Sequence, residues 1–238
     1  MTEHDHGRPA ATPSTAAPDP APDPARDPGP GAVDLLGAVA YGALTAFTRL
    51  AADAALAPDL TGRAEMAALA AVEMAHVERI RAHLETHGVD LVTSMAPFAP
   101  VLDSFAARTA SRDWGEALVG AYVGRTLAVD LVAATGATTD GPGADLLRGP
   151  DAGREASGES GFDAFAERAV REVAADEQTR GRLAMWGRRL LGETLAAAAE
   201  VLDAHPQAAS ALLGGTSRST VFKALKSRHT KRLAALGL

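Results

Sequence analysis

The chain has no cysteine among its 238 residues, which excludes disulfides, thiolate metal sites and a cysteine nucleophile. Aromatic residues make up only 4%, so the core must be assembled from alanine, leucine and valine, and there is little from which to build a platform for stacking bases. A surplus of positive charge is missing as well. The net charge of −7 and the pI near 5.5 argue against a protein that coats nucleic acid non-specifically, because phosphate binding needs a basic surface. No stretch comes near eighteen unbroken apolar residues, and the opening MTEHDHGRPA has neither the basic start nor the apolar run of a secretory signal. The expectation is a cytoplasmic protein without membrane contact. Period-two alternation is absent too, so no strands are expected. GGTSRST lacks the lysine of a phosphate-binding loop, and the serines near His205 and His229 have no triad context.

What remains is helix. Residues 1–31 hold eight of the 14 prolines and almost no large apolar side chain, so they read as a disordered tail, with His4 and His6 given no role. Residues 32–238 form one helical domain. Its first helix spans Val33 to Leu56, with an apolar stripe of Leu36, Val39, Ala43, Phe47, Leu50 and Ala54 at spacings of three and four. The second runs from about Thr61 to His87, and Gly88 suits the position after its C-cap. So short a connection makes the two antiparallel. Pro97 and Pro100 mark a crossover with one short helix. Asp113 and Glu116 form a capping box that opens a third long helix ending near Thr135. Residues 136–160, rich in Gly, Asp and Ser, read as a loop with at most one helical turn. A fourth helix is placed at Phe162–Ala175, another at Thr179–Ala204, a turn at Pro206–Leu213 and a last helix at Ser219–Leu236. The fold class is all-α: a four-helix bundle with additional C-terminal helices.

Within AAVEMAHVERI, Glu73 and His76 stand three residues apart. At 100° per residue, Met66, Leu69, Val77, Ile80 and Leu84 share an arc whose centre is Glu73, with His76 at one edge. A carboxylate there is costly unless a cation, a metal or good donors face it. Glu-x-x-His on a bundle helix is one of the two such motifs of a carboxylate-bridged di-iron site, which also needs an acid from each of two further helices. The third helix offers an arginine instead: its inward arc holds Trp114, Ala117, Ala121, Arg125, Ala128 and Val132, with Leu118 and Tyr122 beside it, while Asp130 points away. On the helix after the loop, the stripe is Phe162, Phe165, Ala166, Ala169, Val170 and Val173; Glu167 and Arg171 face out and Asp163 and Glu172 sit at its margins. Trp114 and Trp186 read as core or seam aromatics.

VDLLGAVAYGALTAFTRLAADAALAP, AAVEMAHVERIRAHL, APF, DWGEALVGAYVG, GRLAMWGRRLLGE and HTKRLAALGL together resemble a ferritin-like family of high-GC bacteria, grouped with the tRNA 2-methylthio-isopentenyladenosine hydroxylases as MiaE-like. The resemblance covers about residues 32–238. It implies a ferritin-like four-helix core and, by analogy, non-haem di-iron chemistry that hydroxylates a modified tRNA base. In the family's pattern an acid follows the Tyr-Gly pair, where this chain has Ala43, and another follows AYVG, where it has Arg125. A guanidinium cannot ligate a cation and repels one nearby.

Three readings follow. In the first, the site is degenerate and metal-free and the protein is a scaffold or interaction protein; Arg125 supplies the charge that the metals supplied, in a buried ion pair with Glu73 that Tyr122 or His76 shares. In the second, the chain is a di-iron hydroxylase acting on a modified tRNA base or another small substrate, with Glu73 and His76 joined by Asp163, Glu167, Glu172 or Asp176. In the third, Glu73 and His76 are only a polar pair at a helix seam. Arg218, Lys223, Lys226, Arg228, Lys231 and Arg232 on the last helix read as a solvated face, the alternative being a patch for tRNA phosphates. A homodimer through helix pairing is expected.

Overall fold

The computed structural model describes residues 29–135, 142–147 and 161–238. The expected disordered tail lies outside these residues apart from its last three positions, which already belong to a helix. Helix α1, Gly29–Asp53, therefore starts four residues before Val33 and closes in a 3₁₀ turn, Ala54–Leu56. Pro30 falls in its first turn, where a missing N–H costs no intrahelical bond. Asp59 caps α2, Leu60–Thr86, by accepting the Gly62 N–H at 2.8 Å. At its far end Gly88 takes φ +69°, its N–H donates to the Glu85 carbonyl and the Val89 N–H to that of Leu84, a Schellman closure. α1 and α2 pack antiparallel along their length.

The crossover contains two helices rather than one: α3, Leu91–Met95, and α4, Ala99–Arg108, joined by a 3₁₀ turn, Ala96–Phe98. Pro97 and Pro100 do not break it because each stands in the first positions of its segment. α5, Trp114–Thr135, opens as expected: Asp113 accepts the Glu116 N–H at 2.9 Å, and the Glu116 carboxylate reaches back to the Arg112 N–H at 3.0 Å. Then come α6, Pro142–Leu147; α7, Gly161–Val173; α8, Glu177–Ala204; α9, Pro206–Leu213; and α10, Arg218–Ala235. The fourth long helix is thus α8, with 28 residues, while the segment read as the fourth helix is α7, a 13-residue strap. Residues 206–213, read as a turn, are helical: Pro206 starts them and Gly214, at φ +53°, ends them. Among the described residues there is no strand, and the class is all-α.

Two apolar cores meet along the α1–α2 pair. Leu50, Ala54, Met66 and Leu69, near the α1–α2 turn, join α5, α7, α8 and α10. Leu36, Ala40, Ala43, Val77, Ile80 and Leu84, in the other half, join α3 and Leu146 of α6. Residues 31–56 and α5 are each long and apolar enough to span a membrane; in α5 that apolarity is taken up by α7, α8 and α10, which pack around it. The outer face of α2 is apolar too, with Leu60, Ala64, Ala67, Ala68, Ala71 and Ala75 all exposed.

α1 crosses α3 at Gly37, where a Cβ would overlap the Ser94 carbonyl oxygen. Backbone on both sides leaves no side chain to move. Gly37→Ala is expected to destabilise the fold by about 1–3 kcal/mol. Gly124→Ala on α5, where a Cβ meets nothing within 4 Å, should stabilise it by about 0.5–1 kcal/mol. Urea unfolding of the two variants beside wild type checks both.

Candidate functional site

The half-motif on α2 sits where the two cores meet, since Ala70 belongs to one and Val77 to the other. Depth is the reverse of the wheel's reading: His76 is buried and Glu73 half-buried. The reason is α6. Leu146 inserts into the α1–α2 seam, and its carbonyl accepts the His76 Nε2–H at 2.7 Å, so the imidazole clamps a one-and-a-half-turn helix onto the bundle. Burial holds the His76 ring below the ordinary histidine range; the Leu146 carbonyl favours the protonated ring and Arg79 opposes it. Ala43, opposite on α1, is buried and presents only a methyl group.

Arg125 is 8% exposed on α5. The structure sets the Asp163 carboxylate, from α7, against it. Asp163 is therefore no marginal acid. Tyr122 lies beside it: burial raises the phenol's pKa and Asp163 raises it further, while the Arg232 cation of α10 opposes them. Asp130 does point away from Arg125, yet not into solvent. It is 5% exposed under α10, where Arg232 donates to both its oxygens at 3.1 and 3.2 Å and Arg228 approaches at 3.6 Å. Ala128, read as inward, is exposed. Both differences arise because α5 is covered on several sides, so a single buried arc does not describe it.

The cations of α10 are correspondingly depleted. Arg228 and Arg232 are held by Asp130 and Arg218 by Asp203, leaving Lys223, Lys226 and Lys231 with no ion pair among the described residues. The reading as a wholly solvated face is corrected for Arg228 and Arg232, which reach the buried Asp130. Sequence reasoning also missed Arg49 and Asp53, paired at 3.6 Å beneath the α4–α5 connection, where Ser111 donates to Asp53 and Arg49 reaches Thr109 and Ser111. Their i, i+4 spacing was the available signal. Trp186 is a core aromatic as expected, donating to the Glu116 carbonyl at 3.1 Å.

A profile described as Ferritin-like domain, actinomycetes, matches residues 29–216. The chain belongs to this ferritin-like family. No curated protein matches it. For a ferritin-like chain the question is whether its residues fit a di-iron centre, and those described do not. A bridged pair of irons takes carboxylates from several helices and two imidazoles. Here α1 offers a methyl at Ala43, α5 offers the Arg125 guanidinium, and Asp163 is engaged by that cation. Among the described residues no three His, Asp or Glu side chains converge as a metal would need.

Arg125→Met should cost about 2 kcal/mol of stability, below the ~3–5 of a fully buried pair because the Asp163 side chain is 24% exposed. Arg125→Met combined with Asp163→Leu should cost less than the sum of the single changes, by at least about 1 kcal/mol, as read by chemical denaturation. A second expectation concerns pH. The unfolded chain protonates His76 before the folded one does, so the stability it contributes is complete above the ordinary imidazole pKa of about 6.5 and declines as pH falls below it. His76→Leu should lower Tm at pH 7.5 and flatten its fall between pH 7 and 5, measured by circular dichroism.

Proposed function

We propose that this ferritin-like protein works without a di-iron centre and acts through contacts made by its folded surface, as a scaffold or interaction protein. The observation that carries the reading is Arg125: a buried cation with its own carboxylate stands on the helix from which the fold would supply an acid. An iron pair beside it would meet electrostatic repulsion and would have to take Asp163 from it. The outer face of the first half of α2, where Leu60 and five alanines are exposed, supports action through contacts, since exposed apolar patches can mark interaction sites. Hydroxylation of a modified tRNA base is less well supported, because two of the six cations gathered on α10, Arg228 and Arg232, are turned inward to Asp130 and Arg218 is paired with Asp203 at the surface.

The test is iron stoichiometry on protein produced in iron-replete medium and purified aerobically. Wild type should carry well below one iron per chain and show no oxo-bridge absorption. Two irons per chain, with that absorption, would overturn the proposal and restore the hydroxylase reading. Arg125→Glu, measured alongside, should raise metal retention over wild type if the position is a former ligand site.

A further inference from the structure

Away from the α2 motif, α8 and α10 face each other across a groove of about 380 Å³. Its walls follow from helical spacing: Arg188, Leu191 and Leu195 lie on one face of α8, and Lys226, His229 and Leu233 on one face of α10. The floor is apolar, with Leu195 and Leu233 buried. Set in it is His229, 3% exposed, with neither ring nitrogen completing a hydrogen bond. The nearby Gly187 carbonyl, which favours the protonated ring, is not in bonding geometry. A buried polar group left so costs about 1–3 kcal/mol, a cost that a partner entering the groove would recover.

Most of the charge at the groove is positive; Leu238, which carries the terminal carboxylate, also lines it and makes no ion pair with either cation among the described residues. Arg188 and Lys226 line the groove, both exposed, and neither makes an ion pair among the described residues. No aspartate or glutamate lines it, although the chain as a whole carries −7. Water could satisfy an imidazole nitrogen. It does not account for two unneutralised cations over an apolar floor. The volume lies near the lower end of small-molecule sites, about 300–1,000 Å³, so the occupant is small.

We propose that this groove binds a small amphipathic carboxylate, with its carboxylate between Arg188 and Lys226, where it also accepts from the His229 ring N–H, and its aliphatic body over Leu191, Leu195 and Leu233. The site is separate from the α2–α5–α7 region and does not depend on whether the protein holds metal. Among anions, a bare phosphate would leave the apolar floor uncovered; among apolar molecules, an alcohol would leave the cations unneutralised.

The experiment is calorimetric titration of the full chain with sodium octanoate, 1-octanol and inorganic phosphate. It is paired with NMR of the histidine rings, assigned with His229→Phe. Octanoate should bind saturably at one site per chain and move the His229 ring resonances, with octanol and phosphate weaker by about tenfold or more. Arg188→Glu with Lys226→Glu, both at exposed positions, should weaken octanoate by at least about tenfold while leaving Tm near wild type. Three outcomes would overturn the proposal: no saturable octanoate binding, equal binding of octanol, or octanoate affinity unchanged in the charge-reversed variant.

Discussion

A helix packed against several neighbours at once must dispose of every charge it carries, and α5 carries three: Glu116, Arg125 and Asp130, all under 9% exposed. Each is answered by a different helix. Glu116 meets Arg182 of α8 at 3.1 Å, Arg125 meets Asp163 of α7, and Asp130 meets Arg232 of α10. Buried pairs of this kind add little net stability, because desolvation offsets most of the Coulomb gain. Their effect is on which arrangement is allowed. Sliding α7 by a turn, or exchanging it with α10, would leave a buried guanidinium facing apolar side chains, which costs several kcal/mol. The three pairs therefore fix the order and register of the C-terminal helices around α5, a task that a core of small, interchangeable alanines and leucines does poorly.

The same requirement explains what became of the α2 motif. A glutamate and a histidine on an inward face need partners, and in a carboxylate-bridged centre one metal pair would satisfy all the inward polar groups at a single point. Among the described contacts, His76 is answered by a backbone carbonyl of α6, and Arg125 on the facing helix by Asp163, an acid that lies outside any Glu-x-x-His motif. Once Ala43 supplies no carboxylate, each local bond is cheaper than an incomplete metal site, because fewer than four ligands hold iron or manganese weakly.

The helices were legible in the sequence because their signals are local. Gly88 and the Asp113–Glu116 box ended or opened helices where they stand, and the stripe of Met66, Leu69, Val77, Ile80 and Leu84 is buried throughout. The site was legible only in part. A helical wheel gives the direction of a side chain but not what lies there: Asp130 points away from Arg125, as its wheel says, yet α10 covers it. Asp163 looked marginal because its own helix leaves it there, and only the packing of α7 on α5 brings it to Arg125. The burial of His76 depends on α6, which arises within a Gly- and Ser-rich stretch of sequence whose composition announces no docking.

α10 shows how such long-range pairing redistributes function. Its six cations look equivalent in sequence, yet Arg228 and Arg232, four residues apart, turn inward to Asp130 and pin the helix against α5. That pinning sets the rotation of α10 about its axis, and with it which residues face α8. Lys226, His229 and Leu233 lie on that face, while the anchoring arginines are turned from it. The buried anion of Asp130 thus draws the arginines inward and leaves Lys226, with Arg188 opposite, as the unneutralised charge beside the groove.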